Sequence, residues 1–190
     1  MLSSVRFYRG VTAGSSEEAI KSGLALKNAS SATRSSFCEG GKPPGGFFTY
    51  GSLNEFPKNA EMWAIMVSQR ENKTPVVIDM TVNPNNFQIL QGRVHAVKKS
   101  ERRGGDGYQY IPIINFEDFE YNQVEAVINL AELSHEDLMA LGVKVGFLGQ
   151  EGGFEYRPYE EWTHILGVHA PTREDRINQE GKPFQLRNDI

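Results

Sequence analysis

A single cysteine, Cys38, occurs among the 190 residues of this chain. One thiol excludes an intramolecular disulfide and a cysteine-built zinc site, and it suits folding in a reducing compartment. Cys38 lies in a Gly/Ser-rich stretch with no histidine nearby, so nothing in its surroundings activates it as a nucleophile. Long apolar runs are missing too: none approaches the roughly 20 residues of a membrane span. The opening MLSSVRFYRG also lacks the apolar centre of a secretory signal, so a cytoplasmic location, or secretion into a target cell without such a signal, is expected. Positive charge is not in excess. The formal net charge is −4, and the one basic cluster, KKSERR at 98–103, reads as a solvated loop, which makes a nucleic-acid partner less expected than a protein. His95, His135, His164 and His169 show no metal-ligand spacing, and no metal is expected. The glycine stretches GGKPPGG and GQEGG match neither a Walker loop nor a dinucleotide fingerprint, and no G-x-S-x-G nucleophile motif occurs.

What is present describes one α+β domain over residues 1–169, mostly antiparallel, with helices gathered toward the N-terminal half and a polar tail at 170–190. VRFYRG (5–10) alternates as a first strand, with Val5, Phe7 and Arg9 on one face and Arg6 and Tyr8 on the other. SSEEAIKSG (15–23) carries the N-cap, the Glu three residues on and the terminal glycine of a short helix. Residues 27–46 are a long Ser/Gly/Pro loop. FFTYGS (47–52) is a short strand, and 57–71 is an amphipathic helix with apolar positions 60, 63, 64, 66 and 67. Further strands are expected at 74–82, 87–90, 93–97, 108–114 and 143–148, and a short helix at 134–141. An amphiphilic segment, YEEWTHILGV, follows the GQEGG loop. The acidic and aromatic stretch 115–121 has no strand alternation and leads into NQVEAVINL (122–130), where Glu125 interrupts a strand-like apolar run.

Three elements stand in order: an arginine in the first strand, an aromatic-threonine strand before a helix, and a late Gln-x-Glu at a strand entrance. This order, over roughly residues 5–130, resembles the ADP-ribosyltransferase superfamily, in its arginine–serine–glutamate branch of toxin-like mono-ADP-ribosyltransferases. The resemblance implies an ADP-ribosyltransferase-like split antiparallel β-sheet core with flanking helices. It also implies NAD as substrate and a macromolecular acceptor, most naturally a protein, for the transferred ADP-ribose. Arg9 would hold the pyrophosphate through the fixed fork of its guanidinium. Glu125 would stabilise the oxocarbenium-like ribose as nicotinamide leaves. Gln123, two residues earlier, would position the acceptor. Gly10, Phe48, Thr49, Tyr50 and Ser52 would complete the NAD site, Thr49 by orienting the carboxylate and an aromatic by stacking on nicotinamide. Segment 115–121 would be the mobile target-recognition loop. Two rivals remain open: an NAD glycohydrolase of the same fold, and a non-catalytic protein-binding module.

Overall fold

A computed structural model describes residues 3–24, 38–39, 47–50, 57–99, 108–122, 125–128, 130 and 133–178. Strands are β1 (Val5–Ala13), β2 (Cys38–Glu39), β3 (Phe47–Tyr50), β4 (Thr74–Val82), β5 (Val94–Lys99), β6 (Tyr108–Pro112), β7 (Glu125–Ile128), β8 (Lys144–Leu148) and β9 (Phe154–Pro158). Helices are α1 (Ser16–Lys21), α2 (Lys58–Glu71), α3 (Asp118–Asn122), α4 (His135–Ala140), α5 (Tyr159–Leu166) and α6 (Arg173–Asn178). The fold is α+β. The described strands form one nine-stranded sheet in the order β2-β6-β5-β7-β3-β1-β4-β8-β9, antiparallel except where β2 meets β6.

The two faces of the sheet differ. Val5, Phe7, Val11 and Ala13 of β1 join Val76, Ile78, Met80 and Val82 of β4, Val94 and Ala96 of β5, and Ala126 and Ile128 of β7 in the main core. We call this the core face. Period two then places Arg6, Tyr8, Gly10 and Thr12 on the other, outer face, which α2 covers in part. The central helices of the core are pinned by buried polar tips: the Tyr159 hydroxyl donates to the Ile20 carbonyl at 3.0 Å and Trp162 Nε1 to the Val145 carbonyl at 2.7 Å.

Several expectations are corrected. Phe87–Leu90 is a 3-10 helix rather than a strand: Asn83 Oδ1 accepts from the backbone of Asn85 and Asn86, and that turn winds the chain into Phe87. Segment 115–121 is not an open loop. Phe116 and Phe119, each 6% exposed, pack with Phe7 and Phe87 in the core, and α3 begins at Asp118, whose carboxylate accepts from the Ile114 and Asn115 amides. Helices are not confined to the N-terminal half, since α4, α5 and α6 follow β7. Strand β9 went unread because FEYRP carries charge at alternate positions and looks like loop. Of the polar tail, residues 171–173 are docked: the His135 amide donates to the Pro171 carbonyl and the Arg173 amide to Glu136.

Helix α2 lies where expected, over Lys58–Glu71, but turns an unexpected side to the sheet. Ala64 and Ser68 are buried, whereas Met62, Trp63 and Met66 are exposed. The cause is Gly10. A β-carbon there would stand 2.2 Å from the Ala60 carbonyl oxygen, so backbone meets backbone, and only the small residues of α2 fit the contact.

Candidate functional site

The strands carrying the three motifs are far apart in sequence and consecutive in the sheet, in the order β7-β3-β1. Between β3 and β7 the pairing runs the whole length of β3, from Phe47 opposite Ile128 to Tyr50 opposite Glu125. Between β1 and β4 it also runs throughout, from Val5 opposite Val82 to Ala13 opposite Thr74. Strands β1 and β3 behave differently. Among the described residues they pair only at Tyr8 and Tyr50, so they part from Arg9 and Thr49 onward. Over the described residues β1 and β3 are joined at Tyr8 and Tyr50 and open beyond it, a local seam between Arg9–Val11 and Phe47–Thr49 within the one sheet.

Register decides which candidates share a face. Directly opposed residues of antiparallel strands lie on the same side of the sheet. Thr49 stands opposite Ala126, a core residue, so positions 49 and 9 both fall on the core face. Tyr50 stands opposite Glu125 and opposite Tyr8, so positions 8, 50 and 125 fall on the outer face. The three principal candidates are thus brought onto neighbouring strands but not onto one face. Arg9 is no surface residue: β1 has neighbours on both sides, and Arg9 is 3% exposed. Gly10 is occupied by the close approach of α2. Phe48 stands opposite Val127, on the face of position 125. Gln123 and Ser52 lie outside the described residues.

The rung through Tyr50, Tyr8 and Glu125 continues across the molecule, for Tyr8 is opposite Asp79 and Asp79 opposite Lys144. Around Asp79 it becomes a polar cluster that sequence reasoning missed. Arg6 donates to the Asp79 carboxylate from Nε at 3.0 Å and from Nη2 at 2.8 Å, while its guanidinium lies 5.0 Å from the centre of the Tyr8 ring. Asp79 is 5% exposed, and a buried carboxylate of this kind needs such a fork. The hydrogen bond to Asp79 keeps Arg6 firmly charged, against a smaller opposing effect of burial. Burial, reinforced by Asp79, pushes the Tyr8 phenol up, so it stays a protonated donor. Tyr156, on β9, donates to Glu61 of α2 at 2.6 Å, and burial followed by that bond pushes its phenol well up. The signal for this cluster was in the sequence. Asp79 interrupts the β-branched run TPVVIDMTV just as Glu125 interrupts its own.

His95 is another polar residue that only the register brings near position 125. It stands opposite Val127 and next to the buried Val94 and Ala96, which places it on the outer face, one rung from position 125. It is half-buried, and burial pushes its imidazole below the ordinary value. Among the described residues no group of histidine, cysteine and carboxylate side chains could hold a metal ion, and no helix is long and apolar enough to cross a membrane. No protein-family model, curated protein or solved structure matches this chain.

Proposed function

We propose that this protein is an NAD-consuming enzyme of the ADP-ribosyltransferase kind, which breaks the nicotinamide–ribose bond and transfers ADP-ribose to a macromolecular acceptor, in the manner of a toxin or effector. The observation that carries this reading is the seam: two of the three motif strands border it and the third adjoins them. A sheet that parts between β1 and β3 is what the split core of that superfamily would require. In this reading the nicotinamide ribose lies against positions 50 and 125. Glu125 supplies the fixed negative charge that the ribosyl cation meets, and position 50 is its register partner on β3. Arg9 is on the other face of its strand, so its hold on the pyrophosphate depends on that group entering the seam. Arg9→Lys tests this separately: it keeps the charge and loses the fork, and NAD binding is expected to weaken by about 1–3 kcal/mol, the scale of one charge-assisted hydrogen bond, as read by calorimetry.

The deciding experiment incubates the purified chain with NAD, with and without a cell lysate, and follows nicotinamide release and transfer of labelled ADP-ribose. Label on macromolecules supports the transferase. Nicotinamide release without transfer supports a glycohydrolase, and no release in either condition leaves a non-catalytic binding module.

A further inference from the structure

We propose that the outward face of α2 is a docking surface for an acidic amphipathic helix of a partner protein; this stands independently of the NAD reading above. Met62, Trp63 and Met66 are 69%, 46% and 52% exposed, although Ala64 and Ser68 of the same helix are buried. Together with Asn59, Gln69 and Arg70 they recur at spacings of three and four, so they form one continuous stripe along the helix. Such a stripe is the seam by which one helix packs on another, and the 14 residues of α2 give it a length of about 21 Å. The close approach at Gly10 fixes this rotation, because only the small side of α2 fits against β1. Three large side chains held in water on a rigid support forgo the gain of burial. Trp and Met are the types that recover it at protein contacts, Trp as a central anchor and Met by fitting its unbranched chain to the partner.

Charge selects the occupant. Helix α2 carries two acids, and both are turned to the sheet: Glu61 accepts from the Tyr156 hydroxyl at 2.6 Å, while Glu71 accepts from the Thr12 hydroxyl at 3.1 Å and lies 3.8 Å from the Lys73 ammonium. Its two cations, Lys58 and Arg70, are exposed near opposite ends of the stripe, and among the described residues neither is in an ion pair. The stripe is therefore apolar in the middle and positive toward both ends, with the acids directed away from it. A partner helix that has an apolar stripe flanked by carboxylates matches both features. A second copy of this chain would bring the same two cations and no carboxylate directed to meet them. An anionic lipid surface would match the local charge, but the chain as a whole carries −4 and is repelled by it, and three apolar side chains are a small area for insertion.

The test uses the full chain and two synthetic three-heptad peptides with leucine at positions a and d, one carrying glutamate and the other lysine at e and g. Binding is followed by tryptophan emission, since Trp63 is half-exposed whereas Trp162, the other tryptophan, is buried. The acidic peptide is expected to shift the emission to the blue and to bind at least about 10-fold more tightly than the basic one, a difference that shrinks as salt is raised. Met62→Glu combined with Met66→Glu should abolish binding while the unfolding midpoint hardly moves, and Met139→Glu, at an exposed apolar residue of α4, should bind as wild type does. Lys58→Glu combined with Arg70→Glu should turn the preference to the basic peptide. Equal affinity for the two peptides, a preference that survives the charge reversal, or no binding of the acidic peptide overturns the proposal. So does a blue shift with phosphatidylcholine–phosphatidylserine vesicles in place of the peptide, which identifies a lipid surface. A dimer in sedimentation that the double methionine variant dissociates overturns it as well, and identifies a second copy.

Discussion

Two residues carry most of the weight at the finest scale. Glu125 has value in the proposed reaction only as positive charge develops on the ribose, so ground-state NAD should bind almost equally without it. Glu125→Gln keeps the shape and removes the charge. Turnover is expected to fall at least about 10²-fold while the melting temperature and NAD affinity hardly change; normal turnover would return Glu125 to an ordinary strand residue. Gly10 was read as a cofactor contact, and its geometry assigns it a packing duty. Gly10→Ala places a methyl 2.2 Å from the Ala60 carbonyl oxygen, a backbone atom that cannot swing aside. It should cost about 1–3 kcal/mol in urea unfolding, the range of an overpacked core. Gly153→Ala is the control: a β-carbon there meets nothing within 4 Å, and stability should stay within about 0.5 kcal/mol.

Among the elements, α2 shows how a correct helix can be given the wrong face. Its apolar positions 60, 63, 64, 66 and 67 mark a stripe, but the close contact at Gly10 admits only small side chains, and Trp63 stays 46% exposed. Hydrophobicity indicates which residues would gain from burial; the depth of the groove decides which of them fit. Met62→Glu should therefore leave the unfolding midpoint almost unchanged, whereas Ala64→Glu should lower stability by several kcal/mol through a buried, unpaired charge. Equal effects of the two would mean that α2 turns a different face to the sheet. Helix α4 is the opposite case, fully readable from the chain. Ser134 and Asp137 close a capping box, and Ser134→Ala should cost about 1 kcal/mol in the same measurement.

Over the whole molecule, the strands on the two sides of the β1–β3 seam are unequal in described pairing, and their stability should be unequal too. Strands β1 and β4 are paired along their full length and supply much of the core, while β2 is a two-residue strand at one end of the sheet. Native-state amide exchange should be slowest in β1 and β4 and fastest in β2; uniform protection would contradict the seam. Short-range information was legible in the sequence alone: the strand at 5–10 and its two faces, the helices at 15–23, 57–71 and 134–141, and the apolar positions 126 and 128. Each follows from a period or a cap confined to a few consecutive residues. The unusual acid in an apolar run was legible in the same way, at Glu125. The tertiary structure alone decided which strands are neighbours, that Arg9 and Thr49 fall on the face opposite position 125, and that Arg6, Tyr8 and Asp79 gather on the outer side. Pairing between strands as distant as Tyr8 and Tyr50 or Phe47 and Ile128 is set by how whole faces bury against each other, and a shift of one residue in register turns every side chain to the other side. No local pattern contains that choice, so a motif order read along the chain names the residues of a site before it can say which of them meet.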